Sequence, residues 1–211
     1  IRADASHTFS DKIEELARTK PNNVAIYFED RTLTYRQYNE EANKYARWMQ
    51  EQGLGRGDVV ALMMENRPEY LVAWLGIVKA GGTAALINTN LTKGPLAHCL
   101  NISGADHLVL GAELAENFST ASDHLERPMT VWTTGGQVQG ANDLDAALAQ
   151  LPGDSLPADI RKNVTPDDNA LLIYTSGTTG HPQAARLPHV RLHSLLGAFA
   201  AGINAREKQP I

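Results

Sequence analysis

Short apolar runs alternate along this chain with longer segments of helical periodicity, and this alternation constrains the fold more than any other feature. Residues 59–64 and 170–174 are continuous apolar runs, which are typical of strands covered on both faces of a sheet. Residues 35–52 instead carry apolar side chains every three or four positions, as an amphipathic helix does. Strands separated by helices of ten or more residues predict parallel βαβ units. The sequence therefore predicts an α/β fold built of parallel-type βαβ layers.

Capping and turn residues mark the ends of these segments. Thr34 and Gln37 have the spacing of a capping box ahead of the helix 35–52, and Ser10 is expected to precede the first helix. Residues 152–168, rich in Pro, Asp and Gly, are expected to form a surface connection. We predict helices at 11–18, 35–52, 68–80, 95–103, 112–125 and 143–151, strands at 24–28, 32–34, 59–64, 83–87, 107–110, 129–133 and 170–174, and a final loop and helix from about 188 to 201.

Composition excludes several classes of protein. The formal net charge is -5, so the chain lacks the basic surface of a nucleic-acid-binding protein. Its single cysteine, Cys99, lies in an apolar helical segment, where a buried structural thiol is the expectation. The apolar run 70–87 is interrupted by Lys79 and a glycine pair, which favours a buried helix and strand over a membrane span.

One segment has the composition of an anion-binding loop. Residues 174–183 read Tyr-Thr-Ser-Gly-Thr-Thr-Gly-His-Pro-Gln and directly follow an apolar strand. Hydroxyls and glycines allow backbone N–H groups and side-chain donors to converge on phosphate, and ligands of open α/β sheets bind at the carboxyl ends of strands. By composition alone, a flexible polar connection is equally open. It is not a Walker loop, because Pro182 and Gln183 stand where that motif needs Gly-Lys.

Residues 174–182 resemble the phosphate-loop signature of the adenylate-forming (AMP-binding) superfamily, and the resemblance extends over nearly the whole chain. Further segments that carry this resemblance are 32–35, 57–61 and 66–70. Segments 80–82 and 85–91 resemble one branch of the superfamily, which contains fatty acid transport proteins and long- and very-long-chain acyl-CoA synthetases.

The resemblance implies an ATP-dependent fatty acid–CoA ligase that uses ATP, Mg²⁺ and coenzyme A. The acid would attack the α-phosphate to give an acyl-adenylate and pyrophosphate, and coenzyme A would then displace AMP. The phosphates would be held by Thr175, Ser176, Gly177, Thr178, Thr179 and Gly180, with Tyr174 and Gln183 as accessory residues.

The resemblance also implies that residues 1–211 are the N-terminal portion of the large domain, truncated and without the C-terminal domain. No catalytic residue and no metal ligand can then be assigned within the chain. A fatty acid is the implied substrate, with a location in the cytoplasm or peripherally on the cytoplasmic face of a membrane.

Gln183 departs from the family pattern Gly-x-Pro-Lys. A glutamine offers only neutral hydrogen bonds, and losing the charge-assisted bond of lysine costs on the order of 1 kcal/mol. Arg186 could compensate, or could be a solvated residue before a helix. Two alternatives stay open: an adenylating enzyme for an aromatic acid or an amino acid, and a non-catalytic nucleotide- or acyl-binding relative.

Histidine and tryptophan residues elsewhere have simpler interpretations. His189 and His193 have the spacing of ligands on one helix face, but no glutamate lies between them, so a surface or capping role is expected. Trp48, Trp74 and Trp132 lie within apolar segments and are expected to fill the core.

Overall fold

A computed structural model describes residues 8–161, 163–175, 182–192 and 194–195. Two sheets are present in this part of the chain, a two-stranded hairpin and a seven-stranded sheet. The strands are β1 Val24–Phe28, β2 Arg31–Thr34, β3 Val59–Met63, β4 Thr83–Leu86, β5 His107–Gly111, β6 Thr130–Thr134, β7 Asn142–Asp143, β8 Asn169–Thr175 and β9 Gln183–Pro188. The helices are α1 Phe9–Thr19, α2 Tyr35–Glu51, α3 Pro68–Lys79, α4 Lys93–Ser103, α5 Ala115–Ser122 and α6 Leu144–Ala149.

The seven-stranded sheet has the order β7-β6-β5-β3-β4-β8-β9. All neighbouring pairs are parallel except β8 and β9, which are antiparallel. The predicted α/β class with parallel βαβ layers is confirmed, and the antiparallel edge strand adds to it.

Helices cover both faces of this sheet, because alternate side chains of its central strands are apolar. Val60 and Leu62 of β3 belong to one buried cluster with residues of α2 and α3. Ala61 and Met63 of the same strand belong to a second cluster with residues of α4. Since successive side chains of a strand point to opposite faces, a continuous apolar run is what two covered faces require.

The packing of α2 against α3 depends on a glycine. A Cβ atom at Gly76 would lie 2.2 Å from Cβ of Tyr45 and 2.7 Å from the carbonyl oxygen of Ala42. Trp48 on α2 is fully buried and makes an edge contact with Trp132, with ring centroids 5.4 Å apart. The expectation that the tryptophans fill the core is confirmed, with Trp74 stacked on Phe9 at 5.1 Å.

Two predicted features near the helix ends were wrong in detail. The N-cap of α1 is Thr8, whose side chain accepts a hydrogen bond from the backbone N–H of Asp11, whereas Ser10 lies inside the helix and is buried. The predicted helix 112–125 is a 3-10 turn, Ala112–Leu114, followed by α5. The capping box of Thr34 and Gln37 is confirmed.

The connection 152–168 is held against α2 by hydrogen bonds. Arg47 donates to the carbonyl oxygens of Pro152 and Asp154 and to the carboxylate of Asp154, at 3.0, 2.9 and 2.6 Å. Asn43, which is buried, donates to the carbonyl oxygens of Gly153 and Asp154 at 2.9 Å. These bonds fix the path of the chain into β8.

The largest error concerns residues 183–188, for which no strand was predicted and where the structure has strand β9. Alanine, arginine and glutamine dominate this segment, and none of them favours a strand. Pairing with the buried strand β8 decides its conformation instead. The following helical turn begins at His189, and residues 196–201 of the predicted helix lie outside the described part of the chain.

Candidate functional site

The predicted phosphate loop connects two paired antiparallel strands. Thr175 at the end of β8 lies opposite Gln183 at the start of β9 in the strand register. Residues 176–181, which include Ser176, Gly177, Thr178, Thr179 and Gly180, lie outside the described residues. Their role in binding phosphate therefore stays a prediction, while both ends of the connection are positioned by the sheet.

The connection lies where the parallel strands have their carboxyl ends, which is where ligands of this fold class bind. We call this end of the sheet the carboxyl edge. β4 pairs with one side of β3 and β5 with the other, so the strand order reverses there, and ligands bind outside the carboxyl ends of strands at such a point. β8 pairs with β4 in parallel, which brings its carboxyl end to the same edge. Thr175 and Gln183 are both exposed at this edge.

Tyr174, the residue before the connection, faces the α4 side of the sheet. Its ring packs against the buried cluster that contains Cys99 of α4. Burial raises the pKa of the Tyr174 phenol, so the hydroxyl stays protonated at neutral pH. Cys99 itself is fully buried, and burial raises the pKa of its thiol, which agrees with the expected structural role.

A turn after β4 lies beside β8, because these two strands are neighbours. Asn88 shapes the turn: its side-chain oxygen accepts from the backbone N–H of Asn90 at 2.9 Å, and its carbonyl oxygen accepts from Leu91 at 3.2 Å. Asn117 of α5 donates to the carbonyl oxygen of Thr89 at 2.9 Å. Hydrogen bonds therefore hold the turn 88–91 in place after β4, the strand next to β8.

Sequence reasoning missed a polar network further along the same edge. Arg67 follows β3 and donates to the carboxylate of Glu113 at 3.2 Å and to the carbonyl oxygen of Thr134 at 3.3 Å. Glu113 also accepts from the backbone N–H of Glu65 at 3.0 Å. Gly135 has φ +79°, and a Cβ there would lie 2.9 Å from the guanidinium of Arg67. The positive charge of Arg67 is therefore already engaged within the protein.

Arg186 lies apart from the position of the missing lysine on β9. It lies on β9 three residues after Gln183, and side chains an odd number of positions apart on a strand point to opposite faces. The distance along the strand is about 10 Å. Compensation by Arg186 through residues 176–181 falls outside the described residues and stays a prediction.

A second polar region lies at the amino ends of the parallel strands, which we call the amino edge of the sheet. Lys79 ends α3 just before β4, and its side chain is fully buried. Its ammonium contacts the carboxylate of Glu14 at 2.7 Å and the side-chain oxygen of Asn39 at 2.6 Å. Arg161 pairs with Glu14 at 2.6 Å and with Asp11 at 3.0 Å. We refer to Asp11, Glu14, Asn39, Lys79 and Arg161 as the ion cluster.

Burial is the main influence on the ionisation of Lys79. Desolvation lowers the pKa of Lys79 to about 8, against the opposing effect of Glu14. A cavity of about 1350 Å³, lined in part by Asp11, Glu14, Asn39 and Arg161, opens beside the cluster and not at the carboxyl edge. The ion pairs and the hydrogen bond of the cluster connect α1, α2, α3 and the segment before β8, because each of these elements contributes at least one of its residues.

His189 does not have the expected surface role. It is fully buried, and burial lowers the pKa of its imidazole. Its predicted companion, His193, lies outside the described residues. Across the part of the chain that the structure describes, no group of three or more His, Cys, Asp and Glu residues is arranged to hold a metal ion.

Comparison with protein families gives one match that spans nearly the whole chain. The family described as AMP-binding enzyme matches residues 13–209. The chain belongs to this family. The members of the family that resemble it include long-chain fatty acid transport protein 2 of Rattus norvegicus, which is 36% identical over 198 residues, covering 92% of this chain and 32% of that protein.

Solved structures of AMP-binding enzymes share the fold. An anthranilate CoA ligase in complex with anthranoyl-AMP has a TM-score of 0.82 at 25% identity, covering 95% of this chain and 38% of that one. A fatty acyl CoA synthetase of Mycobacterium tuberculosis has a TM-score of 0.77 at 28% identity, covering 92% and 37%. The chain spans about a third of the length of the curated relatives it matches. Within the described residues, the helices are too short or too polar to cross a membrane.

Proposed function

We propose that this chain supplies the ATP phosphate-binding connection of a fatty acid–CoA ligase. The observation that carries the proposal is the hairpin of β8 and β9, which holds Thr175 and Gln183 opposite each other at the carboxyl edge of the sheet. The fatty acid transport protein among the relatives and the fatty acyl CoA synthetase among the solved structures support the ligase class and the fatty acid substrate.

The chemistry at this connection is electrostatic. Backbone N–H groups and hydroxyls of Thr175, Ser176, Thr178 and Thr179 would hold the β- and γ-phosphates, and Gly177 and Gly180 would allow close approach of the main chain. The same donors would stabilise the charge on departing pyrophosphate once the carboxylate of the acid attacks the α-phosphate. Mg²⁺ would neutralise part of the phosphate charge, and coenzyme A thiolate would then displace AMP.

The proposal extends to the whole protein. Residues 1–211 would form the N-terminal portion of the large domain, and the ligands of Mg²⁺, the acyl pocket and the C-terminal domain would lie beyond them. We propose further that the fatty acid is taken up in the cytoplasm or at the cytoplasmic face of a membrane.

A pyrophosphate-exchange assay on the complete protein tests the substrate. Palmitate, benzoate and a mixture of amino acids would each be supplied with Mg·ATP and labelled pyrophosphate. Exchange with palmitate and not with the other acids is the expected result. Exchange driven by benzoate or by an amino acid alone would replace the fatty acid with another acid while keeping the reaction class.

One observation favours a second candidate, a relative that binds nucleotide or acyl ligands without turnover. Gln183 is exposed at the start of β9, and Arg186 lies on the other face of that strand. The complete protein would then show no exchange with any acid, and Gln183→Lys would introduce it. Exchange by the unaltered protein contradicts this second candidate directly.

A further inference from the structure

Helix α4 contacts the chain on both sides of the proposed phosphate connection. On the entry side, the ring of Tyr174 packs on the cluster that contains Cys99. On the exit side, Nε2 of His98 lies 3.3 Å from the carbonyl oxygen of Pro182. One helix therefore positions both ends of residues 175–182.

The donor and the acceptor of the hydrogen bond between His98 and Pro182 follow from its chemistry. A carbonyl oxygen can only accept, so Nε2 of His98 carries the proton and donates. The peptide bond between Pro182 and Gln183 is trans, and its C=O and N–H point in opposite directions within one plane. Holding the oxygen of Pro182 towards α4 therefore directs the N–H of Gln183 away from α4.

Apolar side chains on either side of His98 pack α4 against the sheet. Its neighbours Leu96, Ala97, Cys99 and Leu100 are all buried, with exposed fractions of 0–2%, whereas His98 is only partly buried. These apolar side chains hold α4 to the sheet, and the imidazole of His98 reaches the start of β9. A helix residue that contacts a backbone carbonyl beside a candidate ligand loop is placed to orient that loop.

We propose that His98 is a positioning residue for phosphate binding, because its hydrogen bond to Pro182 fixes the peptide plane through which the chain enters β9. The inference rests on the proposed function, since it concerns the same site. His98 contacts the protein rather than the phosphate. Its removal therefore weakens binding by displacing Gln183 and the end of the connection.

Calorimetric titration with pyrophosphate tests this role on four proteins: the wild type, His98→Ala, His98→Gln and His124→Ala. Glutamine keeps a donor of similar reach, and His124 is an exposed histidine outside α4. We expect His98→Ala to bind about fivefold more weakly, as the loss of one hydrogen bond allows. His98→Gln is expected to stay within about twofold of the wild type by the same reasoning, and His124→Ala to match it.

Recovery of pyrophosphate binding in His98→Gln is the readout that separates positioning from a general loss of structure, and hydrogen exchange locates the effect along β9. In His98→Ala, the amides at positions 183 and 184 should exchange faster, while that of Leu187 at the far end of β9 is unchanged. Equal affinity of wild type and His98→Ala, or no recovery in His98→Gln, would overturn the inference. Absence of binding by the wild type would instead overturn the proposed function, and the inference with it.

Discussion

The polar side chains at the two edges of the seven-stranded sheet differ in exposure: they are paired within the protein at the amino edge and exposed at the carboxyl edge. At the amino edge, the ion cluster is closed: Lys79 is fully buried and contacts Glu14 and Asn39, and Glu14 also pairs with Arg161. At the carboxyl edge, Thr175 and Gln183 are exposed at facing ends of β8 and β9. The first set of groups turns inward and joins helices, whereas the second faces outward.

This difference shows why perturbed ionisation alone does not locate the site. A buried lysine with a lowered pKa beside a large cavity is a common mark of an active site, and both occur at the amino edge. Each charge of the ion cluster already has a partner within the protein, so its groups serve the fold. The carboxyl edge is distinguished instead by its topology, which is the one that places ligands in open α/β sheets.

The largest effect that separates the two edges is expected from Glu14→Gln. This change leaves the buried ammonium of Lys79 without its carboxylate, and breaking a buried ion pair costs about 3 kcal/mol. Urea denaturation would measure the loss. The matched control is Glu15→Gln on the same helix, whose side chain is 49% exposed and whose loss should cost less than about 0.5 kcal/mol. Equal effects of the two variants would show that the ion cluster does not stabilise the fold.

The pH dependence of the free energy of unfolding, compared between wild type and Lys79→Met, tests the ionisation of the buried lysine at the amino edge. The folded pKa of Lys79, about 8, lies below its ordinary value of 10.5, so between these values the unfolded chain binds a proton that the folded chain lacks. Stability of the wild type should therefore rise with pH across this window, by up to about 1.4 kcal/mol per pH unit relative to Lys79→Met. Urea denaturation at pH 7, 8, 9 and 10 measures the difference, and parallel curves for the two proteins would contradict the assignment.

A smaller effect is expected at the carboxyl edge from Gln183→Lys. A lysine there adds a charge-assisted bond to phosphate, which should tighten pyrophosphate binding about fivefold without changing stability. Arg186→Ala is the matched control, because that side chain lies on the opposite face of β9. Binding that falls in Arg186→Ala as much as it rises in Gln183→Lys would show that the arginine does reach the phosphates.

Much of the fold could be predicted because local patterns and tertiary structure agree. The run at β3 is apolar on both faces, and both faces are covered; the capping box of Thr34 and Gln37 forms as its spacing indicates. β9 could not be predicted, since its residues favour no strand and only pairing with β8 makes one. Ser10 failed as a cap because Thr8 fits the same role two residues earlier.

The site was predictable in part for the same reason. The motif at 174–182 and the strand before it predicted where a ligand loop should begin, and the sheet places Thr175 there. The contacts of His98 with Pro182 and of Arg67 with Glu113 join residues 84 and 46 positions apart. No local pattern reports such contacts, because they depend on which strands become neighbours.

Calorimetric titration of pyrophosphate into wild type, Thr178→Ala and Thr32→Ala shows whether the connection between β8 and β9 binds phosphate. Thr32 is an exposed threonine on β2, outside the seven-stranded sheet. We expect weak binding, about millimolar, because few phosphate contacts must offset the cost of association. This binding should persist in Thr32→Ala and be lost in Thr178→Ala. Binding that Thr178→Ala leaves unchanged would contradict the claim that the connection between β8 and β9 holds the phosphates.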